Sequence, residues 1–184
     1  MIVVAIIGLV AIIAAPNLSP ANARLKEAVR ELYGNMQSAK MSAIKDNVSW
    51  GIIFDSAANT YTICSNFNYD QSPPDCSDVP GDDGINPETI ELTVDLNSYG
   101  SSVALGLGDA TEDVPGKVCP GVDCPADGIS YSYNRMAFQP SGLLRGIGSG
   151  YVYLQNNKNT AYAVGTPVVS GVVVTRKWAN GAWQ

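Results

Sequence analysis

Histidine is absent from this chain of 184 residues. That removes the usual neutral-pH general base, the commonest metal ligand and the middle member of a Ser-His-Asp relay. No carboxylate or lysine stands out as a replacement, so the sequence argues against an enzyme and assigns no catalytic residue, cofactor or metal. Positive charge is also scarce, with 11 basic against 17 acidic side chains and a formal net charge of -6. A broad phosphate-binding surface depends on basic groups that displace counterions, so bulk charge disfavours nucleic acid and leaves only a local basic patch open. The length suits one domain with an appendage and is short for two full domains.

Charge is missing altogether from Met1 to Ala23, where the opening MIVVAIIGLVAIIAA is nearly continuous hydrocarbon. A soluble amphipathic helix shows polar residues on one face at a period of 3.6, and this run shows none before Pro16. Such a segment has to be buried on every side, by lipid or by copies of itself. It is a little short for a bilayer span of about 20 apolar residues, and it lacks the basic start and A-x-A-like exit of a secretory signal. Its abrupt beginning is read as a start inside a hydrophobic stem. Pro16 deletes a helical hydrogen bond and is expected to bend or end the stem helix.

Residues 24–47 resume a helical pattern. Leu25, Ala28, Leu32, Met36, Ala39 and Ala43 recur at steps of three or four, with Val29 and Ile44 widening the stripe. Arg24, Lys26, Glu27, Arg30, Glu31, Lys40 and Lys45 fall mostly off it, and Glu27 and Glu31 are placed to approach Arg30 along the helix surface. The expectation is a long, kinked N-terminal helix: 1–23 a hydrophobic transmembrane or filament-core stem, 24–47 packed on a head formed by 48–184. If continuous to about residue 46 it would extend roughly 70 Å at 1.5 Å per residue, more than one compact head can cover.

The head reads as β-rich, giving an α+β fold with an antiparallel sheet. VSWGIIF, TYTI, TIELTVDL, SSVALGL, ISYSYNRMAF, GYVYLQ, NTAYAVG and VVSGVVVTRKW are the expected strands. Ile129, Tyr131 and Tyr133 alternate with Ser130, Ser132 and Asn134 as in a half-exposed strand. QNNKNT and ANG resemble hairpin turns. Residues 66–88 and 109–127 form two acidic, Pro/Gly-rich loops, candidate display surfaces. Asp82 and Asp83, or Asp109, Glu112 and Asp113, would be calcium ligands, but neither loop has ordered EF-hand spacing and solvated carboxylates are the simpler reading.

The four cysteines Cys64, Cys76, Cys119 and Cys124 lie outside the apolar run, among turn-forming residues. An even count in such surroundings points to two disulfides and an oxidising compartment. Three connectivities are open, and Cys64 with Cys76 and Cys119 with Cys124 is the simplest. Near the C-terminus, Arg176, Lys177 and Trp178, with Trp183 nearby, give the best local nucleic-acid signal, because basic groups meet phosphate and aromatics stack on bases. The plain alternative is an edge strand ending in solvated bases and a packed Trp.

With these features in place, the chain resembles the type IV pilin-like proteins, specifically the type II secretion minor pseudopilins and related minor pilins of the GspH/FimT family. The likeness rests on MIVVAIIGLVAIIAAPNLS, the helix AVRELYGNMQSAKMSAIKDN, Phe138-Gln139-Pro140-Ser141-Gly142 and the closing VVVTRKWANGAW. It implies an inner-membrane precursor with a periplasmic head, cleavage by a prepilin peptidase, N-methylation, and extraction by an assembly platform into a pseudopilus or pilus among other pilin subunits. Pro16 matches the proline that breaks the stem helix of these filaments, and Phe138, Pro140 and Gly142 match the family's F-x-P-x-G signature, a tight turn holding the Phe in the core. Arg176-Lys177 only partly matches a Gly-Arg element near the closing strand, where a DNA contact is a weaker expectation. The Gly-Phe-Thr-Leu-Ile-Glu processing signal is missing, and Met1 falls just after the position of its glutamate.

Overall fold

The computed structural model describes residues 20–68, 76, 89–114, 119, 124–145 and 149–184. Pro16 and most of the expected stem lie outside the described residues, as do Asp82 and Asp83. One helix packs across two antiparallel sheets. Among the described residues no helix is long and apolar enough to cross a membrane.

Helix α1 (Pro20–Asp46) starts on a proline, whose missing N–H costs nothing in the first turn, and stops before Asn47, held at a positive φ of 56°. Its buried residues are Leu25, Ala28, Val29, Leu32, Met36, Ala39 and Ala43. The small Ala39 and Ala43 let the second half of the helix lie close to the strands, while Ile44 at the margin of the stripe stays exposed. The expected approach of Glu31 to Arg30 is replaced by a bond across the fold: the Tyr99 hydroxyl donates to Glu31.

The first sheet has the order β3-β2-β1-β5, formed by β1 (Trp50–Asp55), β2 (Thr60–Ser65), β3 (Thr89–Asp95) and β5 (Arg135–Phe138). The second has the order β4-β6-β7-β8-β9, from β4 (Val103–Leu105), β6 (Gly150–Asn156), β7 (Ala161–Thr166), β8 (Val174–Ala179) and β9 (Ala182–Trp183). The helix stripe, Ile52, Phe54, Tyr61 and Ile63 of the first sheet, and Val152, Leu154 and Val164 of the second share one core. Burying one side chain of this size contributes about 1.5–3 kcal/mol, so the shared core is what holds the two sheets to one helix.

Each sheet also carries a small cluster on its outer face. On the first, Cys64, Phe67, Cys76 and Ala137 pack together, and Phe67 lies where a side chain at Gly51 would stand. On the second, Tyr151, Tyr153 and Ala163 are covered by Leu107, Val114, Val174 and Trp183. The cysteines pair as Cys64–Cys76 and Cys119–Cys124, with Cα separations of 5.9 and 5.5 Å.

Two expected strands differ. ISYSYN contributes only a single bridge, Ile129 to Val152, and then a 3-10 turn at Ser132–Asn134. Tyr133 and Asn134 take φ of 56° and 54°, so the chain reverses, and Tyr133 is left 78% exposed. Asp127 fixes this turn by accepting from the Ile129 N–H and the Asn134 side chain. In the valine run VVSGVV, Val168, Val169 and Val172 are exposed, Val173 returns to the core, and β8 begins only at Val174. Gly171 has a φ of 67°, and Lys40 of the helix donates to the carbonyls of Ser170 and Gly171 at 3.1 and 3.0 Å.

Candidate interaction surfaces

The chemistry of α1 differs between its two flanks. Residues four apart lie on one face, which places Asn22, Lys26 and Arg30 on the side of β7 and β8, and Glu27 and Glu31 on the side of β3. On the acidic flank a cleft of about 550 Å³ opens between the helix and β3, lined by Glu27, Glu31, Leu92, Asp95, Tyr99 and Arg24. Burial, and then the hydrogen bond it donates to the Glu31 carboxylate, push the Tyr99 hydroxyl pKa well up. Here β3 is an edge strand with Ile90 and Leu92 exposed, a template for pairing with another chain.

On the basic flank, Asn22 ties the start of the helix to the β6–β7 turn. Its side-chain oxygen accepts from Asn156 Nδ2 at 2.7 Å and from Thr160 Oγ1 at 3.2 Å. That turn is the expected QNNKNT hairpin, with Asn159 at a φ of 58°. The tie brings Lys158 toward Lys26, and the β7–β8 register sets Lys177 opposite Tyr162. The result is a cleft of about 360 Å³ lined by Lys26, Lys158, Lys177, Asn22, Trp178 and Asp109 among others. Burial raises the Tyr162 pKa, and the neighbouring Arg30 charge pulls it back.

Arg176 and Lys177 are both exposed. Successive residues of a strand face opposite sides. Lys177 belongs to the lysine cleft, whereas Arg176 lies opposite Ala163 on the outer face, where burial raises the Tyr151 pKa and the Arg176 charge pulls it back. Trp178 meets Trp183 edge-on at 5.3 Å across the β8–β9 hairpin. Trp183 packs on Tyr153 at 5.4 Å and donates its indole N–H to the Glu112 carbonyl at 2.7 Å. The hairpin turn is ANG, with Asn180 and Gly181 both at positive φ. Reading Arg176, Lys177 and Trp178 as a unit left out Lys26 and Lys158, which come from the helix and the QNNKNT turn and meet Lys177 only in the fold.

Phe138, Pro140 and Gly142 build a hairpin at the opposite end of the helix. Phe138 is 0% exposed and bridges to Leu144. The Gly142 N–H donates to the Gln139 carbonyl at 2.8 Å, closing a four-residue turn with Pro140 in its second position. Gly142 has a φ of 76°, and an added methyl group would stand 2.8 Å from the Ile44 side chain. Around this junction the helix end, the turn and the 167–173 segment expose Met41, Ile44, Leu143, Val168, Val169 and Val172. Among the described residues no three His, Cys, Asp or Glu side chains converge on a metal position.

Solved structures similar to the chain include two of the minor pseudopilin EpsH from the Type 2 Secretion System of Vibrio cholerae. One shares 11% identity at a TM-score of 0.49, covering 83% of this chain and 94% of that one. The other shares 12% at 0.44, covering 83% and 93%. No family model and no curated protein matches the chain. At such scores function has to be read from this chain's own residues.

Proposed function

We propose that the chain is a structural, minor subunit of a type II secretion pseudopilus or type IV pilus, anchored in the inner membrane before assembly and helping to prime or cap the filament. The carrying observation is the passage from an uncharged sequence at residues 1–23 into a helix whose single apolar stripe is consumed by the head. Residues before Pro20 therefore need a second apolar environment, either lipid or the stems of other subunits. The same reading assigns residues 1–23 as stem, 24–47 as the helix packed on the head and 48–184 as the head, with Pro16 as the break. Its partners are other pilin or pseudopilin subunits, the assembly platform and a prepilin peptidase acting on a precursor. Its chemistry is packing, and turnover has no part in it.

Deleting residues 1–19 tests this while keeping the Asn22 tie intact. Exported behind a cleavable secretory signal, the shortened protein is expected in the soluble periplasmic fraction and absent from sheared filaments. Incorporation equal to that of the intact chain would refute the stem model. Exposed Met41, Ile44 and Leu143 supply a contact surface for a neighbouring head.

A second reading, capture of DNA, is favoured by the presence of Lys177 and Trp178 in a cleft with two further lysines. Under it, replacing Arg176 and Lys177 with Ala weakens salt-sensitive DNA binding. Salt-independent binding by the parent would rule it out.

A further inference from the structure

The lysine cleft lies at the end of α1 that begins with Pro20, directly after the uncharged run in sequence. We propose that Lys26, Lys158 and Lys177 form a headgroup site that holds the head against anionic phospholipid at the membrane surface. The proposal rests on the anchored-subunit reading above and adds the lipid class that the head selects.

Three observations support it. First, the site is assembled by long-range contacts: Asn22 bonds Asn156 and Thr160 across the fold, so the three lysines come from the helix, a turn and a strand. Second, the charge is uncompensated. Asp109 is the one carboxylate lining the cleft, and among the described residues no acid forms an ion pair with any of the three lysines, the ion pair there being Lys45 with Asp46. In a chain of net charge -6 this is a local reversal of sign, and it attracts phosphodiesters while the rest of the head is repelled by an anionic surface.

Third, the position fits. At 1.5 Å per residue Lys26 is about 9 Å along the axis from Pro20, within roughly one Debye length of a membrane surface near the start of the helix. Duplex DNA is the less suitable partner, because affinity for it needs many phosphate contacts along a track. A cleft of about 360 Å³ with three ammonium groups instead matches one or two headgroups. Asn22 and Thr160 add polar groups at its wall.

The full chain reconstituted with vesicles of phosphatidylcholine alone, or with added phosphatidylglycerol, provides the test. Lysine acetylation read by mass spectrometry reports each site, and Lys45, 83% exposed at the far end of α1, serves as the control. Phosphatidylglycerol is expected to protect Lys26, Lys158 and Lys177 several-fold, with Lys45 unchanged and the protection reversed by salt. Substituting K26Q, K158Q and K177Q should lower the preference for anionic vesicles by about fivefold per lysine.

Equal labelling in both vesicle types would overturn the headgroup site while leaving anchoring intact. A chain that floats with neither vesicle would instead defeat the anchored-subunit reading, and this proposal with it. Protection by inorganic phosphate without vesicles would reassign the site to the free anion. Protection by duplex DNA, and by no vesicle, would reassign it to nucleic acid.

Discussion

Asn59 joins the two sheets through one side chain. It sits in the β1–β2 turn at a φ of 57°, its amide donates to the Val103 carbonyl at 3.0 Å, and its oxygen accepts from the Leu105 N–H at 3.0 Å. A side-chain amide thus supplies what a neighbouring strand would supply to β4, and it reaches Asn97 at 3.1 Å as well. The turn itself is held by Asp55, which accepts from the N–H groups of Ala57 and Ala58. Replacing Asn59 with Gly keeps the backbone conformation and removes the bonds, so a loss of about 1–3 kcal/mol is expected from chemical denaturation. Replacement with Ala should cost a further ~1 kcal/mol for the left-handed backbone. Equal stability of both variants with the parent would show that these bonds are exchanged for water without penalty.

At the scale of elements, the helix was legible because its apolar period is set by the same geometry that packs it, and Leu25 through Ala43 appear in the core. Hairpins with Asn or Gly at positive φ, at 156–160 and 179–182, were legible for a similarly local reason. ISYSYN was not, because alternation records which residues are apolar and cannot distinguish an extended strand from a segment that turns at Tyr133. The valine run before β8 misled in the same way: β-branched residues favour a strand, but Lys40 captures its carbonyls from a helix 130 positions away in sequence. The lysine cleft was invisible for want of any local signature, since residues 26, 158 and 177 meet only through tertiary contacts. Among the disulfides, Cys64–Cys76 closes a separation of 12 residues and holds Cys76 in the outer cluster containing Phe67. Replacing both cysteines with Ala should destabilise the head by about 3 kcal/mol in the chain-entropy account. Denaturant midpoints measured with and without reductant check this, because the parent should shift on reduction and the double variant should respond only through Cys119–Cys124.

For the molecule as a whole, one helix serves two sheets, and buried tyrosines mark the joints. Tyr131 stacks on Phe54 of the first sheet at 5.9 Å while its hydroxyl meets Thr166 of the second at 2.8 Å. Tyr61 accepts from Asn35 of the helix at 2.8 Å, and Tyr153 accepts from the Val114 N–H at 2.8 Å, fastening the covering loop. Burial is the leading cause that pushes all three hydroxyls far above the ordinary phenol range. The unfolded phenols ionise near pH ~10, so above that pH the folded chain retains more protons than the unfolded one, and stability falls as pH rises. Below that pH this contribution is fully present and flat. With three such groups the slope approaches at most about 4 kcal/mol per pH unit once the unfolded phenols are ionised, enough to convert a modest alkaline excursion into cooperative unfolding of helix and both sheets. Phenolate absorbance from these residues should therefore appear together with the loss of β-sheet circular dichroism and should be missing while the sheet signal persists. Because Tyr131 touches both sheets, replacing it with Phe should delay alkaline unfolding even as it lowers stability at neutral pH, where the two hydrogen bonds between the Tyr131 hydroxyl and Thr166 are lost. A parallel loss at both pH values would mean that the joint resists alkali for some reason other than the buried phenol.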